Sequence, residues 1–331
     1  MWQVFGQESI ITLLNHSISK QSIAHAYLLV GPRHVGKTTL ARNLSQALNC
    51  TGHEPPCGQC SVCQRIIEDK HADVISTSFA PGQKAGIDDI RYLQLMASRP
   101  PYEGKYKVFI IDEAEHLSTE AANSLLKIME EPPPRIVWLL LTSEESLLLP
   151  TVISRCQKLI LKPLPVQTIE DILTVSYSVE PGKARLLARL SSGCIGWAIT
   201  ALKNPSLLEN RQQEISKISL LLTSTVEERF AYAQDLSMQF QRQKSASEIL
   251  ANWLAWWHDL LLTRSGQPTL VANLDYQKTL AEQASSLDIG EISKYLTVLS
   301  LAQDYLMKNV NPRLVFESLM LDMPGKEFAH V

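Results

Sequence analysis

The stretch Gly31-Pro32-Arg33-His34-Val35-Gly36-Lys37-Thr38-Thr39 limits the folds open to this chain more than any other. Glycine, four residues, glycine, lysine and threonine make the phosphate-loop pattern, which works where a strand delivers the loop and a helix leaves it. Both flanks are readable. Ala26 to Val30 is a short apolar run of the kind buried on both faces of a parallel sheet. Thr39 to Leu48 repeats apolar residues at helical spacing. Glycines serve such a loop where a side chain would clash or φ is positive, and its backbone N–H groups join the helix N-terminus in an anion site. Lys37 brings a compact charge for β- and γ-phosphates, and Thr38 a hydroxyl for Mg²⁺. Many such loops carry a further glycine where this one has His34, a departure that lowers the expected nucleotide affinity. The competing reading, a chance glycine-rich turn, does not account for the strand and helix on either side.

A second acidic signal lies downstream. Lys107 to Ile111 reads as another strand and runs directly into Asp112-Glu113. Asp112 can hold Mg²⁺, directly or through water, and Glu113 is placed to polarise a water for attack on a γ-phosphate. Two acids at a strand end are common by themselves; the upstream phosphate loop makes this pair informative. Asp73 to Thr77, Ile136 to Leu141 and Gln157 to Ile160 read as three more strands, with Thr142 closing the second of them as a candidate catalytic residue. Helices fall between: Gln7 to Ser19, a segment opened by Gly86 to Arg91 with Asp88 and Asp89 in its first turn, and a segment capped by Ser118 or Thr119 and ended by Pro132-Pro133-Pro134. Strands alternating with helices predict an α/β fold with a parallel sheet covered on both faces.

Four cysteines follow the first of these loops: Cys50, Cys57, Cys60 and Cys63, with six, two and two intervening residues. Thiolates two residues apart fold back on one tetrahedral ion, and four satisfy zinc with no open position, so the zinc would be structural. Four free buried thiols are the alternative. Cys156 and Cys194 lie apart in sequence and read as small apolar residues.

These residues resemble a family. Val4 to Gln7, His25-Ala26-Tyr27-Leu28, the four cysteines, Ile110 to Ala114, Ala122 to Lys127, Glu130 to Pro133 and Ser154-Arg155-Cys156 are similar to the bacterial DNA polymerase III clamp loader, within the AAA+ ATPases. The resemblance covers most of residues 1–165, and Asn311-Pro312-Arg313-Leu314 adds a match in the last helix. It implies a P-loop parallel sheet domain, a small helical lid and an all-α C-terminal collar that joins subunits into a ring. It implies ATP, Mg²⁺ and Zn²⁺ as cofactors, with Gly31 through Thr39 and Asp112 on the nucleotide. It also implies other clamp-loader subunits (tau/gamma and delta), the sliding clamp and primed DNA as partners. Of the two subunit types that share these motifs, the chain resembles delta-prime more than the tau/gamma motor. It starts almost on the first motif and has no long tail. In the segment Gly193 to Ile199, Trp197 stands where motor subunits carry a lid arginine. A neutral indole cannot stabilise charge on a γ-phosphate, which argues against hydrolysis by this chain alone. Arg155 would then be supplied to a neighbour's ATP. The alternatives are an ATP-hydrolysing tau/gamma-type motor, another AAA+ ATPase, or a small-molecule P-loop kinase; the cysteine knuckle, the Ser-Arg-Cys turn and the helical C-terminal half argue against the last.

Length and composition set the frame for the remainder. A chain of 331 residues, 45% apolar and 20% charged, has the size and composition of two or three soluble domains. The boundaries expected are 1–163, 164–205 and 206–331, with Lys162-Pro163-Leu164-Pro165 as linker. A net charge of −3 provides no general field for nucleic acid, so any DNA contact is local. No basic and apolar leader is visible, and the apolar stretch from Ile249 to Leu262 is short and interrupted by Asn252, His258 and Asp259. A cytoplasmic protein with no membrane partner is expected. Ser245 to Glu248 suggests a capping box opening a helix that holds Trp253, Trp256 and Trp257, residues read as core or subunit packing rather than a cofactor or nucleic-acid box.

Overall fold

The computed structural model describes residues 2–78, 86–241, 246–308 and 310–325; of 246–249 and 307 it describes the backbone. The proposed capping box at Ser245 to Glu248 lies outside the described residues. The chain divides into two compact units, residues 1–165 with 193–197, and residues 166–192 with 198–331.

The first unit contains every strand found among the described residues. Its elements run α1 (Glu8–Ser19), β1 (Ala26–Val30), α2 (Lys37–Asn49), α3 (Ser61–Ile67), β2 (Val74–Ser78), α4 (Ile87–Ala97), β3 (Lys107–Asp112), α5 (Thr119–Glu130), β4 (Ile136–Thr142), α6 (Pro150–Ile153) and β5 (Gln157–Ile160). The five strands form one sheet in the order β2-β3-β4-β1-β5, every neighbouring pair parallel. This is the α/β sheet that the alternating pattern predicts. Because all strands point the same way, their C-terminal ends share one edge, and the loops after β1, β3 and β4 meet there.

Strand residues alternate between two cores. Tyr27, Leu29, Val108, Ile110, Val137 and Leu139 face one, with α1 and α2. Ala26, Leu28, Phe109, Ile111, Trp138 and Leu140 face the other, with α4, α5 and α6. Burial on both faces is why these strands read as continuous apolar runs. Phe109 and Trp138, opposite one another in the β3–β4 register, stack with ring centroids 4.4 Å apart. Ser118 caps α5 by accepting from the Ala121 N–H, and the helix ends at Glu130, ahead of the prolines.

Two buried polar residues brace the approach to β3. Lys107 Nζ donates to the carbonyls of Met96, Arg99 and Pro100, 3.1 Å each, and so closes the C-terminal end of α4. Asp73 is fully buried and accepts from the N–H groups of Tyr102, Glu103 and Gly104 at 2.7, 2.8 and 2.8 Å. Burial alone would raise its carboxyl; the three N–H donors outweigh burial and hold it below its ordinary value. Asp73→Asn is expected to cost about 2–4 kcal/mol, since an amide oxygen cannot replace a carboxylate held by three donors. The folded value is depressed, so the stabilisation is full above about pH 4 and is lost as pH falls through the folded value. Urea unfolding of both proteins between pH 7 and pH 3 checks this: the gap in midpoints closes at the acid end, and a gap independent of pH would contradict it.

The second unit is helical among its described residues: α7 (Val166–Tyr177), α8 (Pro181–Leu190), the later turns of α9 (Ile195–Lys203), α10 (Ser206–Leu221), α11 (Val226–Gln241), α12 (Ala246–Arg264), α13 (Gln277–Ser285), α14 (Ile289–Met307) and α15 (Pro312–Leu321). Trp253, Trp256 and Trp257 are all buried in its core, where Trp257 meets Tyr295 at 4.3 Å and Trp256 meets Tyr276 edge-on at 5.8 Å. The packing reading of these tryptophans is the one realised. Asp259, an interruption in the apolar run, accepts from the N–H groups of Ala272 and Asn273, which anchors the segment leading to α13. Arg211 reaches the same place, bonded to Asn273 and, at 2.7 Å, to Asp275. Buried Arg229 ties Leu221 and Met323 together through their carbonyls. No helix among the described residues is long and apolar enough to cross a membrane.

Candidate functional site: a phosphate loop and a cysteine knuckle

The loop from Gly31 to Gly36 leaves β1 and turns into α2, whose first residue is Lys37. Gly36 has φ 110°, a left-handed conformation that favours glycine. Gly31 packs so tightly that a Cβ there would lie 2.8 Å from the Leu161 carbonyl oxygen. His34 adopts φ 63°, the left-handed backbone for which glycine is common in such loops. Its carbonyl accepts from the Gly196 N–H at 2.9 Å, so the start of α9 belongs with this unit. Val35 is buried, and Thr39 lies in the first turn of α2. Arg33 and Pro32 complete the loop.

The loop meets three carboxylates from the end of β3. The Thr38 hydroxyl donates to Asp112 at 2.9 Å. Arg33 pairs with Glu113 at 2.7 Å. Glu115 accepts from the Ser143 N–H and hydroxyl at 3.2 and 2.8 Å, beside Thr142. Bonds from this segment hold its carboxyl below the ordinary value although burial opposes them. Lys37 is buried and donates to the Gly31 and Pro32 carbonyls at 2.6 and 3.0 Å. Burial lowers its pKa, against the pull of Asp112 and Glu115. Thr142 is fully buried at the end of β4; its carbonyl accepts from the Gly31 N–H at 3.2 Å and its hydroxyl from the Glu144 N–H at 3.0 Å.

This donor set suits a nucleotide with a divalent ion. A triphosphate carries about four negative charges, and two loop cations facing three carboxylates do not neutralise it. A hard cation held by the Thr38 hydroxyl and Asp112 would make up the difference. Glu115 carries no motif signal beyond its acidity. It is recognisable only because β4 lies between β1 and β3 and brings Ser143 to it.

Arg155 is set apart from that cluster. It follows α6, donates to the Thr151 carbonyl at 3.0 Å and pairs with Glu130, at the end of α5, at 2.7 Å. Trp197 is half-buried against the core that contains Val35 and Cys194. Burial pushes the Cys194 thiol up, and that of Cys156 to about 12, as expected for apolar residues.

The knuckle forms between α2 and α3. The sulfurs of Cys50, Cys57, Cys60 and Cys63 all lie within 4.8 Å of one another, with Cys50–Cys60 and Cys57–Cys63 each at 4.0 Å. A tetrahedral ion with bonds of about 2.3 Å sets its sulfurs about 3.8 Å apart, so the four residues fit a metal ion. Gly58, at φ 72°, makes the turn. Gly52 permits the close approach, since a Cβ there would lie 2.9 Å from the Cys57 sulfur. Backbone N–H groups of Gly52, Cys60 and Cys63 donate to the sulfurs of Cys50, Cys57 and Cys60 at 3.3, 3.3 and 3.4 Å. At Cys60 such donors overcome the opposing effect of burial and hold the thiol down at about 5; burial pushes Cys63 up.

The geometry can be set beside known proteins. A family model described as DNA polymerase III, delta subunit, matches residues 6–165. The delta-prime subunit of Bacillus subtilis DNA polymerase III is 31% identical over 317 residues, 95% of this chain and 95% of its own length. The chain belongs to the DNA polymerase III delta-prime family. The tau subunit of the same organism is 28% identical over 95% of this chain, but the chain spans only 59% of tau. Among solved structures, a gamma subunit-related protein of Thermotoga maritima aligns over 96% of this chain and 98% of its own, at 18% identity and TM-score 0.47.

Proposed function

We propose that this chain is a delta-prime-type subunit of a DNA polymerase III clamp loader, binding ATP with Mg²⁺ at residues 31–39 and Asp112 and one structural Zn²⁺ at its four cysteines. Tau/gamma and delta subunits would be its ring partners, and the assembly would place a sliding clamp on primed DNA. Residues 164–205 would act as lid and 206–331 as collar. Arg155 would serve a neighbour's ATP rather than its own.

The observation that carries the nucleotide reading is the Thr38 hydroxyl 2.9 Å from Asp112. Two motifs 74 residues apart in sequence meet at one point, where a single cation could bridge them to phosphate. Lys37 is the loop's buried positive charge, so Lys37→Ala is expected to weaken binding of a fluorescent ATP analogue by at least 100-fold, about 3 kcal/mol. Equilibrium titration of the full chain measures it; affinity within twofold of the parent would make the loop vestigial. Copurification with native partners, followed by an ATPase assay of the complex, tests the assembly reading.

A self-sufficient motor is the second reading, favoured by the intact Thr38, Asp112 and Glu113. Hydrolysis by the purified chain without partners would support it. Against it, Trp197 offers no cation to phosphate.

A further inference from the structure

The three carboxylates at the end of β3 do not do the same thing. Asp112 faces the Thr38 hydroxyl, and Glu115 is bonded to Ser143. Glu113 alone is spent on a loop cation: Arg33 Nη2 donates to Oε1 at 2.7 Å, and His116 Nδ1 lies 3.4 Å from Oε2. The Glu113 backbone is bent into the left-handed region, φ 53°, and its carbonyl accepts from the His116 N–H at 2.9 Å, which turns the side chain back toward the loop. Arg33 and Glu113 side chains are 31% and 24% exposed, so the pair is partly shielded from water. A carboxylate oxygen that accepts from a guanidinium at this distance does not offer that lone pair to an attacking water.

The phosphate-loop pattern accepts any residue at position 33, yet the residue there holds the carboxylate best placed to act on water. A guanidinium fork also matches phosphate oxygens. Asp112 and Thr38 mark where a metal between the last two phosphates would sit, and Glu113 is the next residue after Asp112. Arg33, held by Glu113, would then face the terminal phosphate of a bound nucleotide. We propose that Arg33 distinguishes a nucleoside triphosphate from a diphosphate by exchanging Glu113 for the terminal phosphate, so that Glu113 is released only when a triphosphate is bound. A diphosphate is one group short and leaves the pair closed. The inference rests on the nucleotide reading above and deepens it: the Arg33–Glu113 contact would gate the acidic residue of that same site.

The test is a double-mutant cycle on the full chain, titrated with Mg²⁺ and either ADP or a non-hydrolysable ATP analogue. Glu113→Gln removes the charged partner of the Arg33 fork in advance and so weakens the pair. It is expected to tighten analogue binding about fivefold while ADP affinity stays within twofold. In an Arg33→Ala background Glu113→Gln is expected to change neither affinity by more than twofold. Arg33→Gln, which removes the charge and keeps much of the side-chain length, provides a second background should the alanine variant fold poorly, with the same result expected. Equal tightening for ADP and analogue, or tightening that persists without Arg33, overturns the inference while leaving the nucleotide site standing. A parent chain that binds neither nucleotide overturns both.

Discussion

Arg155→Ala is expected to lower ATP hydrolysis by the reconstituted clamp loader about 10³-fold, while this chain keeps its fold and its own nucleotide affinity. The size follows from what an arginine supplied in trans contributes to phosphoryl transfer, about 10³–10⁵ in rate. A guanidinium's planar fork meets two phosphate oxygens at once. The position fits an outward role. Arg155 is partly exposed, pairs with the half-exposed Glu130 and leans on one carbonyl of its own turn. An exposed pair of that kind contributes about 0.2–1 kcal/mol to stability, so alanine shifts thermal unfolding by only a few degrees. The two magnitudes separate the readings. A local brace predicts a small loss of stability and unchanged turnover; a finger predicts almost unchanged stability and collapsed turnover. Steady-state ATPase of the complex, beside a melt of the isolated variant, decides between them. Full turnover with the variant subunit would end the finger proposal.

Cys63→Ser should abolish stoichiometric zinc binding and unfold the segment between α2 and α3. Cys63 is fully buried, and its carbonyl accepts from Gln46 of α2 at 2.9 Å, so the knuckle is built into the sheet's supporting layer. Structural zinc in small sites contributes about 10–16 kcal/mol of apparent binding energy, and that energy is folding energy where no site exists in the unfolded chain. A larger domain retains its sheet without the ion, so the loss falls on residues 50–67 first. Elemental analysis gives the stoichiometry, near one for the parent and near zero for the variant. Hydrogen exchange locates the damage. A parent chain with no metal and four freely alkylated thiols would remove the zinc proposal altogether.

Most of the first unit could be read from residue patterns. Ala26 to Val30 and Ile136 to Leu141 are apolar without a break because both faces of those strands are covered, and a pattern that local does not depend on the rest of the fold. Cys57, Cys60 and Cys63 announce the convergence of their sulfurs through spacing alone, since chain geometry over two residues decides which sulfurs can meet. The meeting of Thr38 with Asp112 was likewise implied by two motifs, each of which makes chemical sense only beside the other.

Tertiary structure decided what depends on neighbours distant in sequence. Nothing local marks Asp73 as the anchor of three N–H groups about thirty residues later, or Lys107 as the cap of α4. Glu115 gains its place from the strand order, which brings Ser143 beside it. The apolar stretch around Asp259 gave no hint that this acid is buried to hold Ala272 and Asn273. The Arg33–Glu113 pair is the sharpest case. A motif lists which residues touch phosphate, because their types follow from the chemistry of phosphate. It cannot say which of them are bonded to one another in the folded chain, because that follows from strand order, backbone φ and burial acting together.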